Sequence, residues 1–243
     1  QEIQGDDLHG LQCTPWRGGG LSIVGGSNNL GGGLIEWSKQ CFFSREDYPY
    51  EVMEKEAKES SYGARGLVFL PYLMGERAPL WDAAARGVFF GLERYHTRGD
   101  MAEAVFESAG FAIRSLLEAI EACGVEVGTI RVSGGLTRVS HVSQLKADIT
   151  GREIAVVDEF ETTALGAALI SAVGVGLIPD VIEASKRVRV RMVIHPDEQR
   201  YRMFQQLYQL YKETYDALKP VFLRRRELLS GLRDVVEASI TNL

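Results

Sequence analysis

The chain has few cysteines and no long apolar run, and each shortage excludes a class of protein. Three cysteines in 243 residues, odd in number and far apart, do not make a disulfide framework, so we expect reduced thiols. No run approaches the roughly 20 apolar residues of a membrane helix, and residues 1–7 lack the basic and apolar pattern of a secretory signal. The sequence therefore predicts a cytoplasmic protein with no membrane partner.

Basic residues are not in excess either. The 33 acidic residues outnumber the 27 basic ones, which gives a formal net charge of -6. This balance provides no general attraction to a polynucleotide, so we expect no nucleic-acid partner. Basic clusters at 186–191 and 224–226 are interpreted as solvated faces and helix ends. Glycine is abundant at 26 residues, which predicts tight turns and close backbone approaches.

Hydrophobic periodicity predicts strands first and alternating helices and strands after them. Residues 98–123 carry one apolar stripe and predict a helix of about 25 residues. The other predicted strands are 11–16, 21–24, 66–72, 88–92, 129–132 and 153–157, and the other predicted helices are 34–42, 50–60, 140–150, 162–174 and two between 196 and 240. This order matches a ribonuclease-H-like α/β plan, a mixed five-stranded sheet with helices on both faces.

Two glycine-rich loops each lead into a predicted helix. Residues 133–135, Ser-Gly-Gly, close a strand and precede the helix that contains Gln144 and Asp148, and residues 25–33 precede the helix that starts near Leu34. Bare backbone N–H groups and the positive end of a helix meet at such turns, which favours a phosphate or purine site. A plain connector between elements is the alternative interpretation of each loop.

A long segment without periodicity, residues 74–87, mixes both charges with proline and tryptophan. Loops of this length in compact domains are usually functional. We interpret Glu76, Arg77 and Asp82 as an internal ion-pair network that braces the loop, and not as catalytic groups.

These segments resemble the carboxyl-terminal half of the FGGY-family carbohydrate kinases. The resemblance rests on residues 70–82, 85–92 and 133–135 and on the pattern Gln144-x-x-Ala147-Asp148, and it covers nearly the whole chain. It implies one of two actin-like ATPase domains, with the active site in the cleft between them. It also implies transfer of the γ-phosphoryl group of Mg-ATP to a sugar or polyol hydroxyl.

The resemblance further implies how the chain is organised. Residues 1–243 are expected to form a single carboxyl-terminal domain, with a lead-in hairpin and glycine loop at 1–33 and a helical tail at 196–243. The family's catalytic aspartate and Asp-x-Gly-Thr phosphate loop belong to the amino-terminal half, which we expect to be absent. Asp6 and Asp7 are poor substitutes for a positioned base. We therefore expect no catalytic residue and no metal ligand in this chain, and an inactive isolated domain.

Individual residues also take roles from the resemblance. Gly134 and Gly135 would pack against the nucleotide, and Gly32 and Glu36 would line the opposite wall. Val139 stands where related kinases often carry Ser or Asn, so it offers adenine an apolar contact in place of a hydrogen bond. The expected cofactors are ATP and Mg²⁺.

The acceptor implied is a sugar or sugar acid of the gluconate, xylulose or ribulose class. Residues 76–82 are more similar to gluconate-kinase-like members than to typical xylulose kinases. An alternative from another class is a complete, non-catalytic actin-like module that binds nucleotide or oligomerises. A dinucleotide-dependent dehydrogenase is excluded because neither glycine loop has the Gly-x-Gly-x-x-Gly spacing. Aromatic residues between 201 and 215 predict core or interface, which leaves a homodimer open.

Overall fold

The computed structural model describes residues 8–16, 21–29 and 31–241, and it is a mixed α/β fold, as predicted. The predicted turn at 17–20 and Asp6 and Asp7 lie outside the described residues. In chain order the elements are β1 (Gln12–Trp16), β2 (Leu21–Gly25), α1 (Gly31–Phe42), α2 (Pro49–Glu59), β3 (Val68–Leu70), β4 (Val88–Phe90), α3 (Arg98–Ala122), β5 (Ile130–Val132), α4 (Ser140–Thr150), β6 (Ile154–Val157), α5 (Thr162–Gly174), α6 (Val181–Ser185), β7 (Val190–Ile194) and α7 (Glu198–Thr241). Short 3₁₀ turns at Ala64–Gly66 and Gly135–Arg138 precede β3 and α4.

The strands form three separate sheets. β1 pairs with β2 and β3 with β4, both antiparallel, while β6 lies between parallel β5 and antiparallel β7. The predicted single five-stranded sheet is thus not formed within the described ranges. Strands β3, β4 and β5 have three residues each and offer few ladder hydrogen bonds. Helix α3 also contacts both β2 and β3, which are not paired with each other.

Strand β7 was not predicted. Its sequence overlaps the basic cluster at 186–191, which the sequence indicated as a solvated face. Four of its five residues are exposed, and only Ile194 is buried. The solvated interpretation therefore holds for the side chains, while the backbone pairs with β6.

Helix α3 is the 25-residue helix that the periodicity predicted. A capping box starts it: the Asp100 N–H donates to Thr97 Oγ1 at 3.3 Å, and the Thr97 N–H donates to Asp100 Oδ2 at 2.7 Å. Against α4 the approach is close, because a Cβ added at Gly110 would lie 2.5 Å from Ile149 Cδ1. This contact fixes where α4 lies.

Helix α2 forms close to where it was predicted, and Glu46, just before it, does not cap it. Tyr48 occupies the N-cap position without a side-chain cap. Glu46 instead pairs with Arg98 at 2.8 Å, and Arg98 also pairs with Glu56 at 2.5 Å. The arginine thereby ties α2 to the start of α3.

The tail is one helix, α7, and not the predicted two. Pro220 lies inside it, where it removes one backbone N–H and normally kinks a helix. Tyr215 before the proline and Phe222 after it are both buried, so packing on both sides offsets that cost. The aromatic stripe lies in the main core: Phe204 and Tyr208 pack against Phe111. This buried face is not available for the homodimer that the sequence left open.

Candidate functional site

The turn after β5 requires glycine. Gly134 has φ 87° and ψ -175°, a conformation that residues with a Cβ rarely adopt. The Thr137 hydroxyl closes the turn by donating to the Gly134 carbonyl oxygen at 2.7 Å. On its outer side the Ser133 hydroxyl lies 3.0 Å from that of Thr162, the first residue of α5. The predicted loop between β5 and α4 is thus a fixed turn.

Helix α4 begins directly after this turn without a side-chain cap. Val139 occupies the N-cap position, and an apolar side chain leaves the N–H groups of the first turn without a side-chain acceptor. It packs partly against the main core.

Helix α1 begins inside the second glycine loop. Gly31 and Gly32 are its first two residues, and no acidic residue stands in its first turn. Leu34 and Ile35, one turn further along the helix, are buried, whereas both glycines are exposed. The glycine-rich beginning of α1 therefore stays open.

These elements enclose a cleft of about 860 Å³. Its lining residues are Gly32 and Ile35 from α1, Tyr50, Glu51 and Glu54 from α2, Ser133, Gly134, Gly135 and Leu136 from the turn, Val139 before α4, and Lys146 within α4. A Cβ added at Gly32, Gly134 or Gly135 would have no heavy atom within 4 Å. The backbone of all three glycines is consequently open to a ligand in the cleft.

Four of the five predicted site residues, all except Glu36, line this one cleft. The Glu36 carboxylate instead accepts hydrogen bonds from Tyr50 Oη at 2.5 Å and Gln40 Nε2 at 2.8 Å, and Lys39 Nζ lies 2.7 Å from it. Hydrogen bonds from Lys39 and these neighbours lower the Glu36 pKa to about 2. Glu36 thus holds Tyr50, which lines the cleft.

Lys146 is a cleft residue that the sequence analysis did not single out. Its side chain is buried at 5% relative exposure, and it lines both the cleft and a smaller cavity of about 100 Å³. Burial lowers the pKa of Lys146. In the sequence, only the position of this lysine between the apolar residues Leu145 and Ala147 could have indicated that it is buried.

The charged loop at 74–87 is braced, but not by the predicted ion-pair network. Glu76 Oε1 accepts the N–H of Asn29 at 3.0 Å, which ties the loop to the glycine loop before α1. Asp82 Oδ1 accepts the Ala84 N–H at 2.8 Å, and Asp82 Oδ2 accepts the Tyr215 hydroxyl at 3.0 Å. Backbone donors and one tyrosine therefore replace the expected arginine. Burial of the Glu76 carboxyl raises its pKa.

The motif residues Gln144 and Asp148 join α4 to α7. Asp148 is fully buried, and its Oδ1 accepts Gln144 Nε2 at 2.9 Å and the Asp197 N–H at 2.8 Å. Arg200 Nε lies 2.9 Å from the other oxygen. This part of the motif has a structural role beneath the cleft.

The described ranges contain neither a membrane-spanning helix nor a metal-binding cluster. Within the described ranges, no helix is long and apolar enough to cross a bilayer. No group of three or more His, Cys, Asp or Glu side chains in the same ranges is arranged to hold a metal ion.

A sequence model of the C-terminal domain of the FGGY family of carbohydrate kinases matches residues 9–175. The chain is 34% identical over 188 residues to a xylulose kinase of Staphylococcus epidermidis, covering 76% of this chain and 37% of that protein. It is 31% identical over 206 residues to a gluconokinase of Bacillus licheniformis, covering 81% of this chain and 40% of that protein. The chain thus spans about two fifths of the length of these relatives.

Solved structures of sugar kinases are similar to this chain as well. A xylulose kinase from Lactobacillus acidophilus superimposes with a TM-score of 0.80 at 30% identity, covering 92% of this chain and 45% of that one. A gluconate kinase from the same species gives 0.77 at 31% identity, covering 86% and 42%.

Proposed function

Because the chain belongs to the FGGY family of carbohydrate kinases, we propose that it forms the nucleotide-binding part of an ATP-dependent sugar kinase. The observation that carries this proposal is the cleft between α1, α2 and α4, in which three glycines present open backbone. ATP supplies the phosphoryl group, Mg²⁺ accompanies its phosphates, and a sugar or sugar-acid hydroxyl accepts.

The cleft fits an adenine nucleotide in size and in lining. Its volume falls in the range of about 300–1,000 Å³ usual for small-molecule sites. We place the base against Gly134 and Gly135, with Val139 in apolar contact and Gly32 on the facing wall. Since valine donates no hydrogen bond, the site selects adenine weakly.

Glu36 is a poor candidate for the general base. A base works best when its pKa lies near the operating pH, and hydrogen bonds lower the Glu36 pKa to about 2. We propose that Glu36 positions Tyr50 at the cleft, and that the group which takes the proton of the acceptor hydroxyl belongs to the amino-terminal half of the kinase. The 243-residue chain alone then binds nucleotide but phosphorylates no sugar.

The acceptor we propose is a sugar or sugar acid of the gluconate, xylulose or ribulose class. Similarity supports the class without choosing within it, because the xylulose kinase and the gluconokinase lie at 34% and 31% identity. Residues 76–82 favour gluconate. We also propose residues 1–243 as one carboxyl-terminal domain in the cytoplasm, with the amino-terminal domain as its partner.

Nucleotide binding is testable with a variant that fills the cleft. A Cβ at position 135 meets no heavy atom within 4 Å, so we expect the side chain of Gly135→Leu to extend into the cleft. By titration calorimetry we expect the wild-type chain to bind ADP and Gly135→Leu to lose at least about tenfold in affinity. Gly174→Leu, at an exposed and equally open position at the end of α5, is the matched control and keeps wild-type affinity.

Two results would contradict the proposal. Absence of ADP binding to the wild-type chain would remove the nucleotide site. Sugar-dependent ADP release by the purified 243-residue chain, with gluconate, xylulose, ribulose or glycerol, would show that this chain contains a complete active site.

A further inference from the structure

Lys146 differs from the other buried ionisable side chains. Asp100, Glu103, Glu107 and Asp148 each have a hydrogen-bond or ion-pair partner, as in the 2.7 Å contact between Glu103 Oε2 and His141 Nε2. In the part of the chain that the structure describes, the Lys146 ammonium group has none. At 5% exposure this lysine keeps little water near its charge, so an anion in the adjoining cleft would stabilise it.

The position of Lys146 indicates what it meets. It lines both the large cleft and the smaller cavity, which Asn28, Gly31 and Glu76 also line near the N-terminus of α1. This 12-residue helix has no acidic side chain in its first turn, and the Glu76 carboxylate, which accepts the Asn29 N–H at 3.0 Å, lies just before it. The N–H groups of Asn29 and Arg77 donate to the Glu76 carboxylate, which leaves Lys146 as the cationic side chain available to a ligand.

Lys146 lies two turns of α4 away from the glycine turn. Val139 and Lys146 are seven residues apart, and at 1.5 Å per residue they lie about 10 Å apart along the helix axis. A nucleotide whose base lies at Val139 reaches about that far with its ribose and phosphates. The outer lining carries the acidic side chains Glu51 and Glu54, and Lys146 is the only cation among the described lining residues.

We propose that Lys146 is a phosphate-binding residue of this cleft, whose ammonium group donates to a phosphate oxygen of a nucleotide bound with its base at Gly134 and Gly135. This inference rests on the proposed nucleotide-binding function and deepens it. The bound phosphate supplies the hydrogen-bond acceptor that the folded chain lacks, and no covalent bond is formed or broken.

The test compares ADP with adenosine, which lacks phosphates, on the wild-type chain and on Lys146→Met. Titration calorimetry should give ADP affinity at least about tenfold lower for Lys146→Met, and adenosine affinity equal within about twofold. Lys55→Met, at a lysine with 76% side-chain exposure on α2, is the matched control and changes neither affinity.

Thermal unfolding shows that the variant is folded. Because methionine replaces an unpaired buried cation, Lys146→Met should unfold at a higher temperature than the wild-type chain without nucleotide. Undiminished ADP affinity in Lys146→Met, or equal loss of ADP and adenosine, would overturn the phosphate role while the nucleotide site stands. Failure of both compounds to bind the wild-type chain would overturn the nucleotide site and this inference together.

Discussion

The glycines around helix α4 differ in how closely other atoms approach them on its two sides. Towards α3 and α7, a Cβ at Gly110 would lie 2.5 Å from Ile149, and one at Gly151 would lie 2.5 Å from the Tyr201 ring. Towards the cleft, Gly134 and Gly135 have no heavy atom within 4 Å. Glycine therefore permits close packing on one side and access for a ligand on the other.

Polar groups follow the same division. On the packed side, the buried Asp148 carboxylate is met by Gln144, Arg200 and a backbone N–H. On the cleft side, Lys146 is buried without a partner among the described residues. The packed side thus supplies partners for its own buried carboxylate, whereas on the cleft side we propose that a bound nucleotide supplies the partner of the lysine.

The largest expected effect is on the packed side. Phe204 is fully buried and packs edge-to-face on Phe111 at 6.1 Å. Phe204→Ala should lower the free energy of unfolding by about 3–5 kcal/mol, because it removes buried apolar area and leaves a cavity. Urea denaturation measures this. Leu228→Ala, at an exposed position of the same helix, should stay within about 0.5 kcal/mol, and equal losses in both variants would disprove the packed core described for α7.

A matched pair of glycine substitutions separates the two sides directly. Gly110→Val should destabilise by about 1–3 kcal/mol, because its methyl groups enter the space of Ile149. Gly135→Val should change stability by less than about 0.5 kcal/mol, because its side chain extends into the cleft. Urea denaturation of both compares them, and a larger loss for Gly135→Val would reverse the comparison.

The smallest effect depends on pH. Burial raises the pKa of Glu107 well above 4.5, and its Oε1 accepts the Gly63 N–H at 2.6 Å. Above the unfolded pKa the unfolded chain has released this proton while the folded chain keeps it, so stability falls as pH rises. Between about pH 5 and 6.5, just above the unfolded pKa, the wild-type chain should lose stability, and Glu107→Gln, neutral at every pH, should lose less.

Urea midpoints at the two pH values check this prediction. The control is Glu198→Gln, at a glutamate with 79% side-chain exposure, and it should keep the wild-type slope. A wild-type slope in Glu107→Gln would show that this carboxyl is ionised in the folded chain.

The sequence predicted most of the local structure and less of its assembly. Helix α5 has its predicted bounds, and α3 ends one residue before its predicted end. Both helices were predictable because their residue patterns repeat with the helical period over many residues. The five-stranded sheet and the division of the tail into two helices were wrong. Pairing between distant strands and continuation through a proline depend on tertiary packing that local patterns do not contain.

The candidate site divides in the same way. Glycine spacing and family resemblance predicted Gly32, Gly134, Gly135 and Val139, which line one cleft. They did not predict that Glu36 lies outside the lining and contacts Tyr50, which is part of it. Nor did they predict Lys146, because a lysine on a helix normally reads as solvated and only the fold shows that it is buried.

The most direct test of the cleft is a titration of the chain with ADP, followed by the amide NMR signals of its glycines. The signals of Gly32, Gly134 and Gly135 should shift as ADP binds, because their backbones line the cleft, while those of Gly110 and Gly151 should stay in place, since packed side chains cover them. Shifts at the packed glycines with none at the three cleft glycines would contradict the account.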